Sequence, residues 1–452
     1  MTNRVSAREI VLDMLLDIEK NKTPSHIEKR DTLAKYQYLD KTDRAFISRI
    51  FDGAIENKIK LDYIVNQFSR TPVNKMKPFI RCLIRMSVYQ LVFMDKTPDS
   101  AVCDEAVKLA NKRGFKNLKG FVNGVLRNIA RNKENIQYPA YEKDKVLYLS
   151  VMYSTPEWII KQVKEQYGED RLEAIIKNMN KEKEGISVRI SEEKNIEKVL
   201  EGLSKQGVKA KKMQLAKRGY ILTNIDYLEK LLEYKNGSII PQDESSMLAG
   251  YVAAPKKDDY VIDVCAAPGG KSIHIAGLLC GTGMVEARDV SESKLALIEE
   301  NIERIGVKNI KTKLFDGTAL DETSIEKADI VVTDVPCSGL GVINKKSDIK
   351  YNMTYEKQQE LIKLQRDILS NAVKYAKANG TIIFSTCTIN KKENIENMKW
   401  LVESYNLKPQ DISEYFPQDF HSSETKAGYV QLVYDNDASD GFFICKLKKQ
   451  EI

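Results

Sequence analysis

Few backbone arrangements accommodate the stretch Asp263-Val-Cys-Ala-Ala-Pro-Gly-Gly-Lys271. Tyr260, Val261, Ile262 and Val264 make a short apolar run, the pattern of a buried strand. Pro268, Gly269 and Gly270 break that run, and the residues from Lys271 to Leu279 return to helical spacing. A strand, a turn of small residues and a helix form a ligand crevice at the carboxyl edge of a sheet. The glycines let backbone approach a bound molecule closely. Asp289 ends the next apolar run, and an acid at that position can hold ribose hydroxyls. Two adjacent glycines match the usual dinucleotide fingerprint poorly, and a tight turn in any α/β protein has the same look. Spacing alone therefore indicates a nucleoside-binding α/β domain.

The rest of the chain sets bounds on the reading. A chain of 452 residues is long enough for two or three domains with ample core. Its 30% charged and 42% hydrophobic residues are an ordinary globular balance. A net charge of +7 permits a polyanionic partner without requiring one. No apolar run is long enough to span a membrane, and the first ten residues lack a signal-peptide core. Seven irregularly spaced cysteines fit reduced thiols in a cytoplasm. With only His26, His274 and His421 and no C-x-x-C pair, neither a structural zinc site nor histidine catalysis is expected.

Three regions follow from texture: 1–140, 141–235 and 236–452. The first reads as all helix. Ser6-Ala-Arg-Glu9 has the capping-box pattern, and Ile10, Val11, Met14, Leu15 and Ile18 line one face. Pro72 and Pro98 are expected to open further helices of a compact bundle, and Gly114 to end one. From Ala106 to Lys133 there are eight basic residues and no acid: Lys108, Lys112, Arg113, Lys116, Lys119, Arg127, Arg131 and Lys133. Such a run is either a solvated helix face or a phosphate-binding surface. Residues 136 to 160 read as a connector. The order β-α-β-β-α-β then predicts a small α+β ferredoxin-like unit, of RNA-recognition topology without its stacking aromatics. That unit carries a second acid-free run of Lys205, Lys209, Lys211, Lys212, Lys217 and Arg218. The last region alternates strands and helices as a doubly wound sheet does. There are no internal repeats.

The Asp263–Lys271 loop closely resembles the cofactor loop of RNA cytosine-5 methyltransferases of the NOP2/NSUN/RsmB family. Asp334-Val-Pro-Cys-Ser-Gly-Leu-Gly341, Ser385-Thr-Cys-Thr388 and Asp440-Gly-Phe-Phe443 agree with the same family in the same order. The N-terminal region resembles the NusB-like RNA-binding domain that starts its RsmB-type members. The resemblance implies a Rossmann-like S-adenosylmethionine-dependent catalytic domain with a reversed last strand. It implies a cofactor site of Cys265, Ala266, Ala267, Pro268, Gly269, Gly270, Lys271, Asp289, Asp316 and Asp334. It further implies Cys387 as nucleophile, Cys337 as the residue that releases product, and Asp334 as the acid on the pyrimidine edge. An acid in that role shares a proton, so a raised pKa is expected for Asp334. Cys387 needs thiolate character, for which Lys271 and the cofactor sulfonium are candidate sources. The substrate implied is 16S ribosomal RNA or an early small-subunit assembly, and the enzyme is expected to be a cytoplasmic monomer without metal.

Two departures stand out. Where the family often has a basic pair and Pro-Asp, this chain has Asn344-Lys-Lys-Ser-Asp-Ile-Lys-Tyr351, which keeps Asp348 and Lys350. Thr388 stands where serine is frequent. Three rivals differ in class or substrate. A DNA cytosine methyltransferase would attack through Cys337. A related enzyme would act on 23S ribosomal RNA or transfer RNA. A non-catalytic RNA-binding factor would use the bundle and the basic runs, with a vestigial Rossmann-like domain.

Overall fold

The computed structural model describes residues 6–181, 185–434 and 440–451. The chain divides into two compact units. One holds the residues up to Asn180 together with Ile343–Asn352, and the other holds the remainder.

The first unit is helical, as its patterning predicts. Helix Pro78–Phe93 is its centre, buried on nearly every face from Phe79 to Leu91. It packs with helices Ala7–Asn21, Lys41–Glu56, Lys58–Phe68, Asp99–Lys112 and Lys119–Asn132 around one apolar core. Pro72 does not open the central helix. It precedes a single 3-10 turn, Val73–Lys75, and Pro78 occupies the first helical turn instead. A proline there loses nothing, because its missing N–H would have been unpaired. Ser6 caps Ala7–Asn21 by accepting from Glu9 N. The Glu9 side chain does not complete the reciprocal box but turns to Lys112 at 2.8 Å. The stretch read as a connector contains helix Lys145–Met152 and the start of helix Glu157–Tyr167, both in this unit.

The segment Ile343–Asn352 belongs to this unit and buries Ile343, Asp348 and Lys350 in it. Asp348 accepts from Ser25 N at 3.1 Å and from Ser25 Oγ at 2.5 Å. Lys350 Nζ donates to Asn180 Oδ1 at 2.7 Å, Glu56 O at 3.1 Å and Tyr153 O at 3.5 Å. Those acceptors sit at the C-terminal ends of helices Lys41–Glu56, Lys145–Met152 and Glu169–Met179. Helix C-termini carry partial negative charge and unpaired carbonyls, so one ammonium serves all three. Burial pushes the Lys350 pKa down to about 7, against the pull of Glu56. Asp348 and Lys350, kept from the family pattern, are therefore structural ties of the helical unit.

The second unit contains two sheets. Strands β1 (Ile186–Ile190), β2 (Lys209–Lys212), β3 (Gly219–Thr223) and β4 (Ile239–Pro241) pair antiparallel in the order β2-β3-β1-β4. That is the ferredoxin-like order expected from the β-α-β-β-α-β reading. The larger sheet comprises β5 (Tyr260–Asp263), β6 (Met284–Asp289), β7 (Ile310–Leu314), β8 (Ala328–Asp334), β9 (Ala376–Thr386), β10 (Leu407–Pro409), β11 (Tyr429–Leu432) and β12 (Phe442–Lys449). Its order is β10-β12-β9-β8-β5-β6-β7, with β11 beside β12. Strands β5 to β9 run parallel, and β12 runs antiparallel to β9. The strand order reverses on either side of β5, which places a crevice at the carboxyl ends of β5 and β8. Apolar side chains cover both faces, as a parallel sheet requires.

Candidate active site

The loop after β5 is held open by backbone pairing to its neighbours. Val264 N donates to Val332 O and Ala266 N to Arg288 O, so the turn grows directly from the sheet edge. The Ala267–Pro268 bond is cis. Gly269 has φ +100°, a conformation that a residue with a Cβ rarely adopts. Helix Gly270–Leu278 begins immediately after it.

Asp289 ends β6 and is buried. Its carboxylate accepts from Ala267 N at 3.0 Å, Val290 N at 2.8 Å and Lys294 Nζ at 3.0 Å. A carboxylate has about four lone-pair sites, so one remains for a ligand hydroxyl. Asp289 thus fixes the loop as well as facing the crevice edge. Asp316 lies two residues beyond β7, exposed, with its carboxylate accepting from Thr318 N and Thr318 Oγ1. Those bonds hold its pKa below the usual carboxylate range. Phe315 N donates to Asp289 O, which ties the two acids' strands at their ends.

Asp263 has no assigned role in the sequence reading, yet it is fully buried beneath the loop. Its Oδ2 accepts from Ser272 Oγ at 2.6 Å, while Oδ1 is buried without a hydrogen-bond partner among the described residues. Burial raises its pKa to about 7. Asp334 is the partner of Lys271, with Nζ at 2.6 Å. Its other oxygen accepts from Ser385 Oγ at 2.8 Å. Burial lowers the Lys271 pKa, but Asp334, Asp263 and Cys387 together outweigh it, and the net shift is upward.

Strands β8 and β9 are parallel neighbours, with Asp334 opposite Ser385. The loops that follow therefore leave the sheet side by side. Cys337 and Cys387 meet there with their sulfurs 3.1 Å apart. The hydrogen bond to Cys387, then burial, pushes the Cys337 thiol well up. Cys265, in the cofactor loop, is also pushed up by burial. Gly341 N donates to Cys387 O, and Gly441 N donates to Gly341 O. A Cβ on Gly341 would strike the Gly441 carbonyl, so the glycines of two motifs allow that approach. Phe442 follows, with Lys271 Nζ 5.7 Å from its ring centroid. All four sequence motifs converge at this one sheet edge.

The basic runs fare differently. Lys108 pairs with Glu105, Lys112 with Glu9, Arg113 with Asp13, Arg127 with Asp104 and Lys133 with Asp99. The run has no acid in sequence, but acids outside it balance five of its eight charges. Lys116, Lys119 and Arg131 have no acidic partner among the described residues. In the second run Lys205 pairs with Glu201, and Arg218 donates to Ile190 O and Ser191 O. Edge strand β2 leaves Lys209 and Lys211 exposed.

A mixed sheet with a reversed strand beside a glycine turn, preceded in the chain by a helical unit and a ferredoxin-like sheet, defines a Rossmann-like methyltransferase with accessory domains. Residues 250–448 match the family model for 16S rRNA methyltransferase RsmB/F. Residues 5–131 match the NusB family, and residues 155–225 match the RsmF/B-like ferredoxin-like domain. The probable ribosomal RNA small subunit methyltransferase B of Bacillus subtilis is 33% identical over 99% of both chains. The tRNA (cytosine(72)-C(5))-methyltransferase of Pyrococcus horikoshii is 34% identical over 59% of this chain and 67% of that protein. The crystal structure of PH0851 shares the fold over 99% of this chain and all of its own, with TM-score 0.84 and 23% identity. The chain belongs to the RsmB/F family of 16S ribosomal RNA methyltransferases, which are S-adenosylmethionine-dependent.

The crevice fits that cofactor chemically. S-adenosylmethionine brings ribose hydroxyls, an adenine amine and a sulfonium, all of which seek acceptors or negative charge. The edge offers the spare capacity of Asp289 and the exposed Asp316, with the buried carboxyl of Asp263 beneath the loop. Asp289→Ala should weaken S-adenosylmethionine binding roughly tenfold or more, since two loop N–H groups lose their acceptor. Calorimetric titration measures this, and unchanged affinity with an intact fold would remove Asp289 from the site.

Proposed function

We propose that the protein methylates carbon-5 of a specific cytosine in 16S ribosomal RNA through a cysteine–RNA adduct. The observation that carries this reading is the thiol pair, Cys337 and Cys387, 3.1 Å apart beside the Lys271–Asp334 pair. Carbon-5 of cytosine is a poor nucleophile. Cys387 as thiolate bonds to carbon-6, and the displaced C5=C6 electron pair makes carbon-5 nucleophilic. Asp334 holds the pyrimidine edge, and Lys271 balances its charge. The Cys265–Lys271 turn, Asp289 and Asp316 hold S-adenosylmethionine, which when bound supplies an electrophilic methyl. Loss of the carbon-5 proton to water re-forms C5=C6, and the C6–Sγ pair returns to Cys387. The Cys337 thiol donates a hydrogen bond to that departing sulfur. The target base must leave its stack to reach the crevice.

Labelled S-adenosylmethionine incubated with 16S, 23S or transfer RNA tests the substrate. Label in a cytosine of 16S RNA is the expected result. The relative named as a tRNA (cytosine-C5) methyltransferase supports a second reading, in which transfer RNA takes the label instead. The division at 140/141 and 235/236, the monomeric state and a cytoplasmic location belong to the same proposal. The described residues contain no helix long and apolar enough to cross a membrane.

RNA binding is assigned to the basic residues that lack internal partners. Neutralising Lys116, Lys119 and Arg131 should lower RNA affinity and reduce the salt slope, by up to about 0.7–0.9 for each phosphate they would otherwise neutralise. Neutralising Lys112 and Arg113 should instead lower thermal stability by freeing Glu9 and Asp13. Binding curves at several salt concentrations decide, and an unchanged slope in the first variant would leave that surface a solvated face.

A further inference from the structure

The two cysteine loops are tied together beneath the sulfurs by a carboxyl group that the reaction scheme leaves unused. Glu393 is fully buried, and no ion pair to it is found among the described residues. Every group around it is a donor. Ser338 N donates at 2.8 Å, Ser338 Oγ at 2.5 Å, Asn390 Nδ2 at 2.9 Å and Gln365 Nε2 at 3.0 Å. The two amides are oriented by their other bonds, since Asn390 Oδ1 accepts from Lys392 N and Gln365 Oε1 from Asn397 Nδ2. Four donors converging on one buried carboxyl suit an ionised acceptor.

The hub reaches both sides of Cys337. Ser338 binds Glu393 directly, and Gln365 Nε2 also donates to Pro336 O at 2.9 Å. It reaches the second loop through Ser338 Oγ, which lies 2.8 Å from Thr388 Oγ1. Thr388 Oγ1 accepts from Asn390 N, so its hydrogen is free for Ser338, whose own hydrogen goes to Glu393. The residues flanking Cys337 and the residue after Cys387 are thus set by one anchor.

From this geometry we infer that Glu393 is a positioning residue that holds Cys337 against Cys387 and governs release of the methylated product. This rests on the proposed roles of the two cysteines. When C5=C6 re-forms, the C6–Sγ electron pair returns to Cys387, and the Cys337 thiol must lie in hydrogen-bond reach to stabilise it. The titratable groups facing Cys337 are Cys387 and Glu393, both of which favour the protonated thiol, with Gly339 N–H opposing.

The test uses the full chain, 16S RNA and labelled S-adenosylmethionine. Glu393→Gln keeps the shape and removes the charge. Its release step should slow roughly 10- to 100-fold, the equivalent of one charge-assisted hydrogen bond, and denaturant-resistant RNA adduct should accumulate. The alkylation midpoint of Cys337, read by mass spectrometry across pH, should move to lower pH. Ser338→Ala keeps the charge and cuts the two hydroxyl ties, to Glu393 and to Thr388, so adduct should rise with the midpoint in place. Wild-type adduct levels in both variants, or a uniform rise in the reactivity of both thiols, would overturn the inference. Absence of adduct even in Cys337→Ala would mean that the cysteine roles themselves are wrong, and the inference would fall with them. Adduct in Cys337→Ala but not in Glu393→Gln would refute Glu393 alone.

Discussion

Cys337→Ala is expected to trap a covalent RNA–protein species, while Cys387→Ala is expected to abolish both that species and methyl transfer. The asymmetry follows from which sulfur bonds to carbon-6. Without Cys387 no thiolate adds, carbon-5 stays unreactive and no label is transferred. Without Cys337 the addition proceeds, the methyl is accepted, and the enzyme stops with product attached. Label incorporation should then plateau near one methyl per enzyme. The double mutant should form no adduct. A denaturing gel of wild type, both single mutants and the double mutant reads all of this at once. A DNA-type mechanism, with Cys337 attacking, predicts loss of adduct in Cys337→Ala. A non-catalytic RNA-binding factor predicts no adduct anywhere. Adduct in Cys387→Ala would sink the assignment outright.

Lys271→Met should cost both stability and activity. The side chain is of similar length, but Asp334 would keep only Ser385 as a partner in a largely buried site. Breaking a buried pair from one side leaves an uncompensated charge. Asp334 is 29% exposed, so the expected loss is on the order of 2–3 kcal/mol, less than a fully buried pair would lose. Denaturant unfolding measures it. Activity should fall further than folding does, because Asp334 would no longer be oriented and Cys387 would lose the nearby ammonium. A variant with wild-type stability and turnover would show that the pair is incidental. Lys271→Arg is a useful companion, since it retains the charge but not the compact ammonium.

Much of the candidate site is legible locally. A strand, a proline-glycine turn and a helix are short-range events, so Asp263–Lys271 reads correctly from its own residues. Asp289 is identifiable as the acid at a strand end, because periodicity marks where that run stops. The ferredoxin-like order follows from alternation and turns. A helix start at Pro72 is misplaced, since two prolines six residues apart both suit a helical first turn and only packing selects Pro78.

Other features depend on residues distant in sequence. The balance of the Lys108–Lys133 run is invisible within it because its acids, among them Glu9, Asp13, Asp99 and Asp104, lie outside the run on other turns and helices. Asp348 and Lys350 stand out in sequence only as positions kept from the family pattern, and only the fold gathers three helix ends around one ammonium. Glu393 carries no local signature, since an acid in a polar stretch reads as surface. Its burial exists only because donors from Ser338, Gln365 and Asn390 meet there. Residue type and short spacing determine which backbone turns and strand ends can form. Long-range packing decides which charges are paired, which carboxyl is buried, and which two sulfurs touch, because each of those depends on partners that no local window contains.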